Sequence, residues 1–272
     1  MRIEQRMPPF EGVAAGNTAL IKLPIGRRFH SIFLIYSGVT LAQMTEIRVM
    51  ANGKVFQRFT ATERDNMNQF IGQAAAAGIL QIPFDRVGLK NREQEELTSV
   101  NTGVADAQGN AINSFTIEID IDGAAAAPAL EMNATQSESL EGGPGVMLNI
   151  RKDSRSIAGV GELEISDFIK GTAISQALNR VFFIPSANAI NKVTVERDLY
   201  NVWERSTALN ELIQTDGGRV PQAGYWTIDT SELGYGANNI GLAGVQDFRY
   251  RIDCSGAMTV NAISEYLGVL GQ

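Results

Sequence analysis

The chain has 272 residues, of which 44% are hydrophobic and 19% are charged, and its formal net charge is −7. This length suits two domains, and this composition is that of a globular protein that folds without disulfides. Cys254 is the one cysteine, so we expect it to be a small buried residue. The negative charge argues against direct binding to nucleic acid, which depends on clustered Lys and Arg side chains.

Neither a membrane span nor a secretion signal is expected. The alanine-rich runs at residues 74–77 and 124–127 are far shorter than the ~18 apolar residues of a spanning helix. Residues 1–10 carry charges and prolines where a signal peptide needs an apolar core.

Short segments that alternate or run apolar dominate the chain, which is the pattern of β-strands. Because such strands are many and are separated by Gly- and Asn-rich turns, they favour a sandwich or barrel. The strongest strand predictions are residues 18–25, 31–36, 46–50, 114–121, 180–184, 192–196, 225–229 and 248–253.

Two short helices are predicted between strands. Residues 62–77 open with a capping-box-like sequence, repeat apolar residues at helical spacing and stop at Gly78. Residues 207–214 place Leu209, Leu212 and Ile213 on one helical face.

The chain also contains an internal repeat, which indicates duplication. Three segments recur in the same order, at offsets of 149, 147 and 133: IFLIYSG (32–38) with VFFIPSA (181–187), VFQRFTA (55–61) with VWERSTA (202–208), and FTIEIDIDGA (115–124) with FRYRIDCSGA (248–257). The shrinking offset indicates a longer middle section in the first copy, at residues 78–113. We therefore predict an all-β fold of two tandem β-sandwich or β-barrel domains, at residues 1–135 and 146–272, joined by a polar, Gly-rich linker at residues 136–145.

Side chains for catalysis are scarce. His30 is the only histidine, and its place at the mouth of a predicted strand suggests a turn or surface residue, not a general base. No Gly-x-Ser-x-Gly elbow, phosphate-binding glycine motif or set of four Cys and His zinc ligands occurs. The sequence therefore predicts a protein that is not an enzyme and uses no organic cofactor.

A calcium site is one candidate for bound metal. Asp120 and Asp122 are separated by one residue near the end of a predicted strand, so their side chains project to the same face. Carboxylate oxygens are calcium ligands, although the same pair also suits a solvated strand end before Gly123. Both interpretations stay open.

Carbohydrate binding or hydrolysis is the alternative function, because jelly rolls also form lectins and because glycosidases use paired carboxylates. The two tryptophans, Trp203 and Trp226, are few for stacking on sugars, and alignment of Trp203 with Phe56 suggests core packing instead. The available carboxylates are Glu95, Glu96, Glu162, Glu164, Asp229 and Glu232.

Segments at both ends and at the middle of the chain resemble the major capsid protein of corticoviruses, tailless phages with a membrane inside the protein shell. The segments that carry the resemblance are VAAGN (13–17), IKLPIG (21–26), YSGVT (36–40), IDIDGAA (119–125), RYRID (249–253) and SEYLGV (264–269).

The resemblance implies a double jelly-roll coat protein. Three chains would form a pseudo-hexameric homotrimer, and trimers would tile an icosahedral shell around an internal membrane, with a separate vertex protein. It also implies a location in the virion after assembly in the host cytoplasm, calcium at subunit contacts with Asp120 and Asp122 as ligands, and an N-terminal segment, residues 1–10, that reaches inward or between neighbouring subunits.

Overall fold

The computed structural model describes residues 1–271 and divides the chain into two compact units. The first comprises residues 1–148 and the last residues from Val269, and the second comprises residues 149–268. No helix among the described residues is long and apolar enough to cross a bilayer.

The first unit has two four-stranded antiparallel sheets, ordered β5-β4-β8-β2 and β1-β9-β3-β6, with the short β7 also paired to β3. Its strands are β1 (Ile3–Arg6), β2 (Thr18–Leu23), β3 (Arg27–Ser37), β4 (Met44–Ala51), β5 (Lys54–Phe59), β6 (Ile79–Pro83), β7 (Val100–Asn101), β8 (Phe115–Ile121) and β9 (Ala129–Glu138). Its helices are a 3-10 turn (Leu41–Gln43), α1 (Ala61–Phe70) and α2 (Arg92–Glu96).

The second unit has the same arrangement, with sheets ordered β14-β13-β17-β11 and β10-β18-β12-β15 and with β16 paired to β12. Its strands are β10 (Met147–Ile157), which begins in the first unit, β11 (Gly161–Ile165), β12 (Ala177–Pro185), β13 (Ile190–Arg197), β14 (Tyr200–Ser206), β15 (Trp226–Asp229), β16 (Ile240–Gly241), β17 (Phe248–Cys254) and β18 (Met258–Gly268). Its helix is α3 (Thr207–Gln214).

Strands β1 to β9 therefore recur as β10 to β18, one for one and in the same sheet positions. The helix after β5 recurs after β14, and α2 lies in the longer middle section predicted for the first copy. The predicted duplication is confirmed at the level of topology. The pairing of β9 with β3 continues to Glu138, three residues into the predicted linker, and the division at residues 136–145 stays a prediction.

The two copies also share a β-bulge at the same place. His30 is skipped in the pairing of β3 with β9, and Asn179 is skipped in the pairing of β12 with β18. These residues are 149 positions apart (179 − 30), the offset of the first repeat. Because a bulge shifts which side chains face the core, its retention keeps both copies in the same register.

The second repeat was predicted one residue out of register. Val49 pairs with Gln57, and Val195 pairs with Trp203, so the structural offset is 146 (203 − 57) instead of 147. Trp203 thus corresponds to Gln57 and not to Phe56, and it is half-buried, with the Arg205 guanidinium 3.9 Å from its ring centroid.

Helix α1 is shorter than predicted. Its N-cap is Thr60, which forms a capping box with Glu63, and it ends before Gly72, whose φ of +78° favours glycine at a helix C-terminus. The predicted continuation through residues 74–77 is therefore wrong, because Gly72 and not Gly78 ends the helix. The prediction of residues 207–214 as a helix is confirmed.

Aromatic side chains from both sheets form the core of the first unit. The ring of Phe115 on β8 lies 5.1 Å from Phe29 on β3, and it also contacts Phe56 and Phe84. In the second unit Phe183 on β12 packs at 5.5 Å against Tyr250 on β17, and Cys254 is buried in the same core as predicted.

Phe115→Ala should lower the free energy of unfolding by about 3 to 5 kcal/mol, because it removes a buried ring that contacts three others. Urea unfolding followed by circular dichroism measures this change. Leu140→Ala, at a side chain that is half-exposed, is the control and should change stability little. Equal losses in both variants would contradict this account of the core.

Candidate functional site

Three charged side chains form one row across a sheet of the second unit. Arg180 on β12 is paired in register with Asp229 on β15 and with Glu265 on β18. Its guanidinium lies 3.0 Å from Asp229 Oδ1 and 3.4 Å from Glu265 Oε2. All three residues are buried, so the ion pairs are shielded from water and each charge depends on its partners.

Arg219 completes this buried cluster. Its Nε donates to Asp229 Oδ2 at 2.5 Å, while Ser231 Oγ donates to Asp229 Oδ1 at 2.7 Å. Burial alone would raise the pKa of Asp229, but the positive charges of Arg180 and Arg219 and these hydrogen bonds hold that pKa at about 2. Asp229 is therefore a structural carboxylate, fully engaged by arginine.

His30 is buried, with 1% of its surface exposed, so the prediction of a turn or surface position is wrong. The bulge turns its side chain into a polar cluster: Nδ1 lies 3.0 Å from Asp85 Oδ2, and Nε2 lies 2.8 Å from Ser137 Oγ. This is the order of groups in a Ser-His-Asp triad. Here, however, Ser137 lies within a paired strand opposite Arg28, and the Asp85 carboxylate is also paired with a cation.

That cation is Arg2, just before β1. Its Nη2 lies 2.8 Å from Asp85 Oδ2 and 2.8 Å from Glu96 Oε1 on α2. Arg92 also contacts Glu96 at 2.6 Å, and although partial burial would raise the pKa of Glu96, the two arginines hold it below its usual value. The cluster therefore attaches the start of β1 to the interior of the first unit.

The two predicted calcium ligands, Asp120 and Asp122, form hydrogen bonds with different partners. Both oxygens of Asp120 accept from Arg48, at 2.6 and 2.9 Å, and Oδ1 also accepts from Thr18 at 2.6 Å. Asp122 caps the following turn by accepting from Ala124 N at 2.7 Å. Residues 1–271 contain no group of three or more Asp, Glu, His or Cys side chains suited to a metal ion, and calcium at Asp120 and Asp122 stays a prediction.

Two more of the carboxylates considered for sugar chemistry are engaged. Glu232 accepts hydrogen bonds from both terminal nitrogens of Arg205, at 2.5 and 2.8 Å. Glu164 lies 3.1 Å from Arg249. These groups form ion pairs across strands and turns, in the way that structural carboxylates do.

Family comparison decides between the two functions left open by the sequence. Residues 4–137 match the model of the viral coat protein P2 N-terminal domain, and residues 147–270 match that of the viral coat protein P2 C-terminal domain. The chain belongs to the P2 family of viral coat proteins. The chain is 28% identical over 273 residues to the major capsid protein P2 of Pseudoalteromonas phage PM2, covering 99% of this chain and 98% of that protein.

Solved structures support the assignment to the P2 family. The crystal structure of the major capsid protein P2 from bacteriophage PM2 matches with a TM-score of 0.90 and 25% identity, over 100% of this chain and 99% of that one. More distant matches share the fold alone: Sulfolobus turreted icosahedral virus (TM-score 0.69, 11% identity, 98% and 90% coverage) and the PBCV-1 virus capsid (0.62, 6%, 98% and 93%).

A P2-family protein is a structural component of the virion capsid and not an enzyme, so this prediction and the predicted double jelly roll are confirmed. The comparisons give no support to the carbohydrate alternative. Neither the Arg180 row nor the His30 cluster was predicted from sequence, because their members are far apart in the chain. For the Arg180 row, a correct pairing of β12 with β15 would have placed Arg180 opposite Asp229.

Asp229→Asn should lower the stability of the second unit by about 3 to 5 kcal/mol, because it leaves Arg180 and Arg219 without their shared buried partner. Both tryptophans lie in this unit, so urea unfolding followed by tryptophan fluorescence measures its stability directly. Asp167→Asn, at the exposed Arg155 pair, is the control and should have little effect.

Asp229 should also make the second unit sensitive to acid. Its folded pKa, about 2, lies below its ordinary value of 3.8, so its stabilising contribution is present above about pH 4 and is lost as the pH falls toward 2. The wild type should therefore lose stability more steeply over this range than Asp229→Asn, in the same fluorescence assay. Parallel curves for the two proteins would refute the assignment.

Proposed function

We propose that three copies of this coat protein form a homotrimer, and that trimers tile an icosahedral shell. The observation that supports the proposal is the one-for-one recurrence of nine strands in the two units. Two similar bodies per chain and three chains give six similar bodies around a threefold axis. Such a pseudo-hexameric tile can fill a lattice while using only cyclic symmetry.

The proposal extends to the partners of the shell. A pseudo-hexameric tile does not fit the fivefold positions of an icosahedron, so a separate vertex protein occupies them. The shell surrounds an internal membrane, as the family resemblance implies, and the chain assembles in the host cytoplasm.

The solution mass tests the trimer. Light scattering coupled to size exclusion should give about 88 kDa, three times the chain mass of 29.4 kDa, or a larger particle that dissociates to that mass. A stable monomer at micromolar concentration would contradict the proposal. Cryo-electron microscopy of purified particles tests the rest, with bilayer density expected beneath a coat of trimers.

Calcium at subunit contacts is proposed with Asp120 and Asp122 as ligands. An ion there has to compete with Arg48 for Asp120, so we expect weak binding that Asp122→Asn abolishes. Isothermal calorimetry of the trimer with calcium chloride measures both. Asp106→Asn, at a carboxylate that caps its own loop, is the control; identical heats in all three proteins would exclude this site.

A further inference from the structure

Helix α3 exposes its apolar face and buries polar side chains, the reverse of an ordinary amphipathic helix. Leu209, Leu212 and Ile213 share a face as predicted, but that face is exposed, with 73% of Leu212 accessible to solvent. The buried side chains are Asn210 and Gln214 instead. An exposed row of large apolar side chains on a small helix marks a binding surface.

The inward face of α3 is fixed by hydrogen bonds. Asn210 Nδ2 and Gln214 Nε2 both donate to Thr227 O on β15, at 2.8 and 2.9 Å. Helix α1 is held by the same device, because Asn68 Nδ2 donates to Gln81 O at 2.7 Å and these residues lie 146 positions before Gln214 and Thr227. Both helices therefore dock in the same orientation.

The outward faces of the two helices differ. At the offset of 146, Leu209 corresponds to Glu63 and Leu212 corresponds to Asn66. The first copy thus has polar groups where the second has exposed leucines. Since the fold is the same in both copies, it does not require these leucines, and the exposed face is a property of the second copy alone.

The strand before α3 is an edge. Among the strands of residues 1–271, β14 pairs with β13 only, and Tyr200 is 77% exposed. We call Tyr200, Val202, Leu209, Leu212 and Ile213 the β14–α3 surface. An unpaired strand beside exposed apolar side chains is a template for adding a strand from another chain.

The internal repeat identifies which strand fits. The first-unit counterpart of β14 is β5, and its free side is covered by Met147 and Leu148, the first residues of β10; Gln57 Nε2 donates to Leu148 O at 3.0 Å. The counterpart of β10 is β1. Within the described chain β1 pairs with β9 only, so its other side is also free.

Charge disfavours a lipid surface as the partner. Residues 198–214 have three acidic residues and one arginine. The nearby cations are already paired, Lys192 with Glu204 and Arg205 with Glu232. The surface therefore offers no free basic groups to anionic lipid headgroups.

We infer that the β14–α3 surface of one copy binds the β1 edge of a second copy. Such a contact joins two different surfaces head to tail, and head-to-tail contacts close into a ring when successive copies are related by a closing rotation, as in a threefold trimer. The inference rests on the proposed trimer and names the residues that hold it.

The test replaces the outward residues of α3 with those of α1. In the double variant Leu209→Glu and Leu212→Asn, Asn210 and Gln214 are unchanged, and a glutamate at position 209 can form a capping box with Ser206, the N-cap. We expect a folded protein whose mass by light scattering falls from about 88 to about 29 kDa. Val160→Glu, at another exposed apolar residue, is the control and should keep the trimer mass.

The outcomes separate the two proposals. A wild type that is not a trimer contradicts the proposed function. A wild-type trimer that persists in the double variant overturns the inference alone, as does equal loss in Val160→Glu. A variant that stays trimeric but no longer forms shells would place the β14–α3 surface between trimers. A variant that loses only its binding to phospholipid vesicles would assign the surface to lipid. Either result overturns the pairing with β1.

A second measurement does not depend on how the double variant folds. Val202→Cys combined with Glu4→Cys or Gln5→Cys places a thiol on each edge, and neighbouring β1 positions point to opposite faces. Under oxidation, one of the two combinations should give disulfide-linked dimers and trimers on a denaturing gel. The wild type, whose only cysteine is buried, should give none; monomers alone in both combinations would overturn the contact.

Discussion

Each unit depends on the register of its central bulged strand, β3 in the first copy and β12 in the second. Side chains alternate between the two faces of a strand, so a slip of one residue would exchange core and surface positions. The bulges at His30 and Asn179 set that alternation at the same point in both copies. From this register follow the aromatic core, the helix that docks on the edge strand and the buried polar groups.

The two copies stabilise the same register by different means. In the second copy a row of Asp229, Arg180 and Glu265 crosses three strands, whereas the corresponding row of the first copy is Pro83, Ser31 and Thr135. The first copy instead places a polar side chain on the bulge itself, with His30 bound to Asp85, and Asp85 in turn binds Arg2. Duplication therefore preserved the backbone arrangement while the side chains that specify it diverged.

The parts of the fold that were predictable from sequence are those governed by local periodicity. Strands such as β8 and β17 have the same alternating burial, which a two-residue period reveals. Local sequence patterns gave wrong predictions of burial where a contact with a residue far away in the chain decides which way a side chain faces. The apolar face of α3 indicates a core-facing helix by the usual rule, yet two amide side chains that bond to Thr227 O turn it outward. His30 is polar and lies near a strand end, and only the fold reveals that Asp85 and Ser137 enclose it.

The relation between the two helices shows how a duplicated protein acquires an interface without altering its fold. Because Asn68 in α1 and Gln214 in α3 anchor their helices through backbone carbonyls, no apolar residue on the outward face is needed for docking. Those outward positions are therefore free to change independently of stability. Selection for assembly can place leucines there in one copy, while the other copy retains the polar residues of a solvated surface. In α3 the buried side chains are Asn210 and Gln214, so its leucines are not used for folding and remain available for contact with another chain.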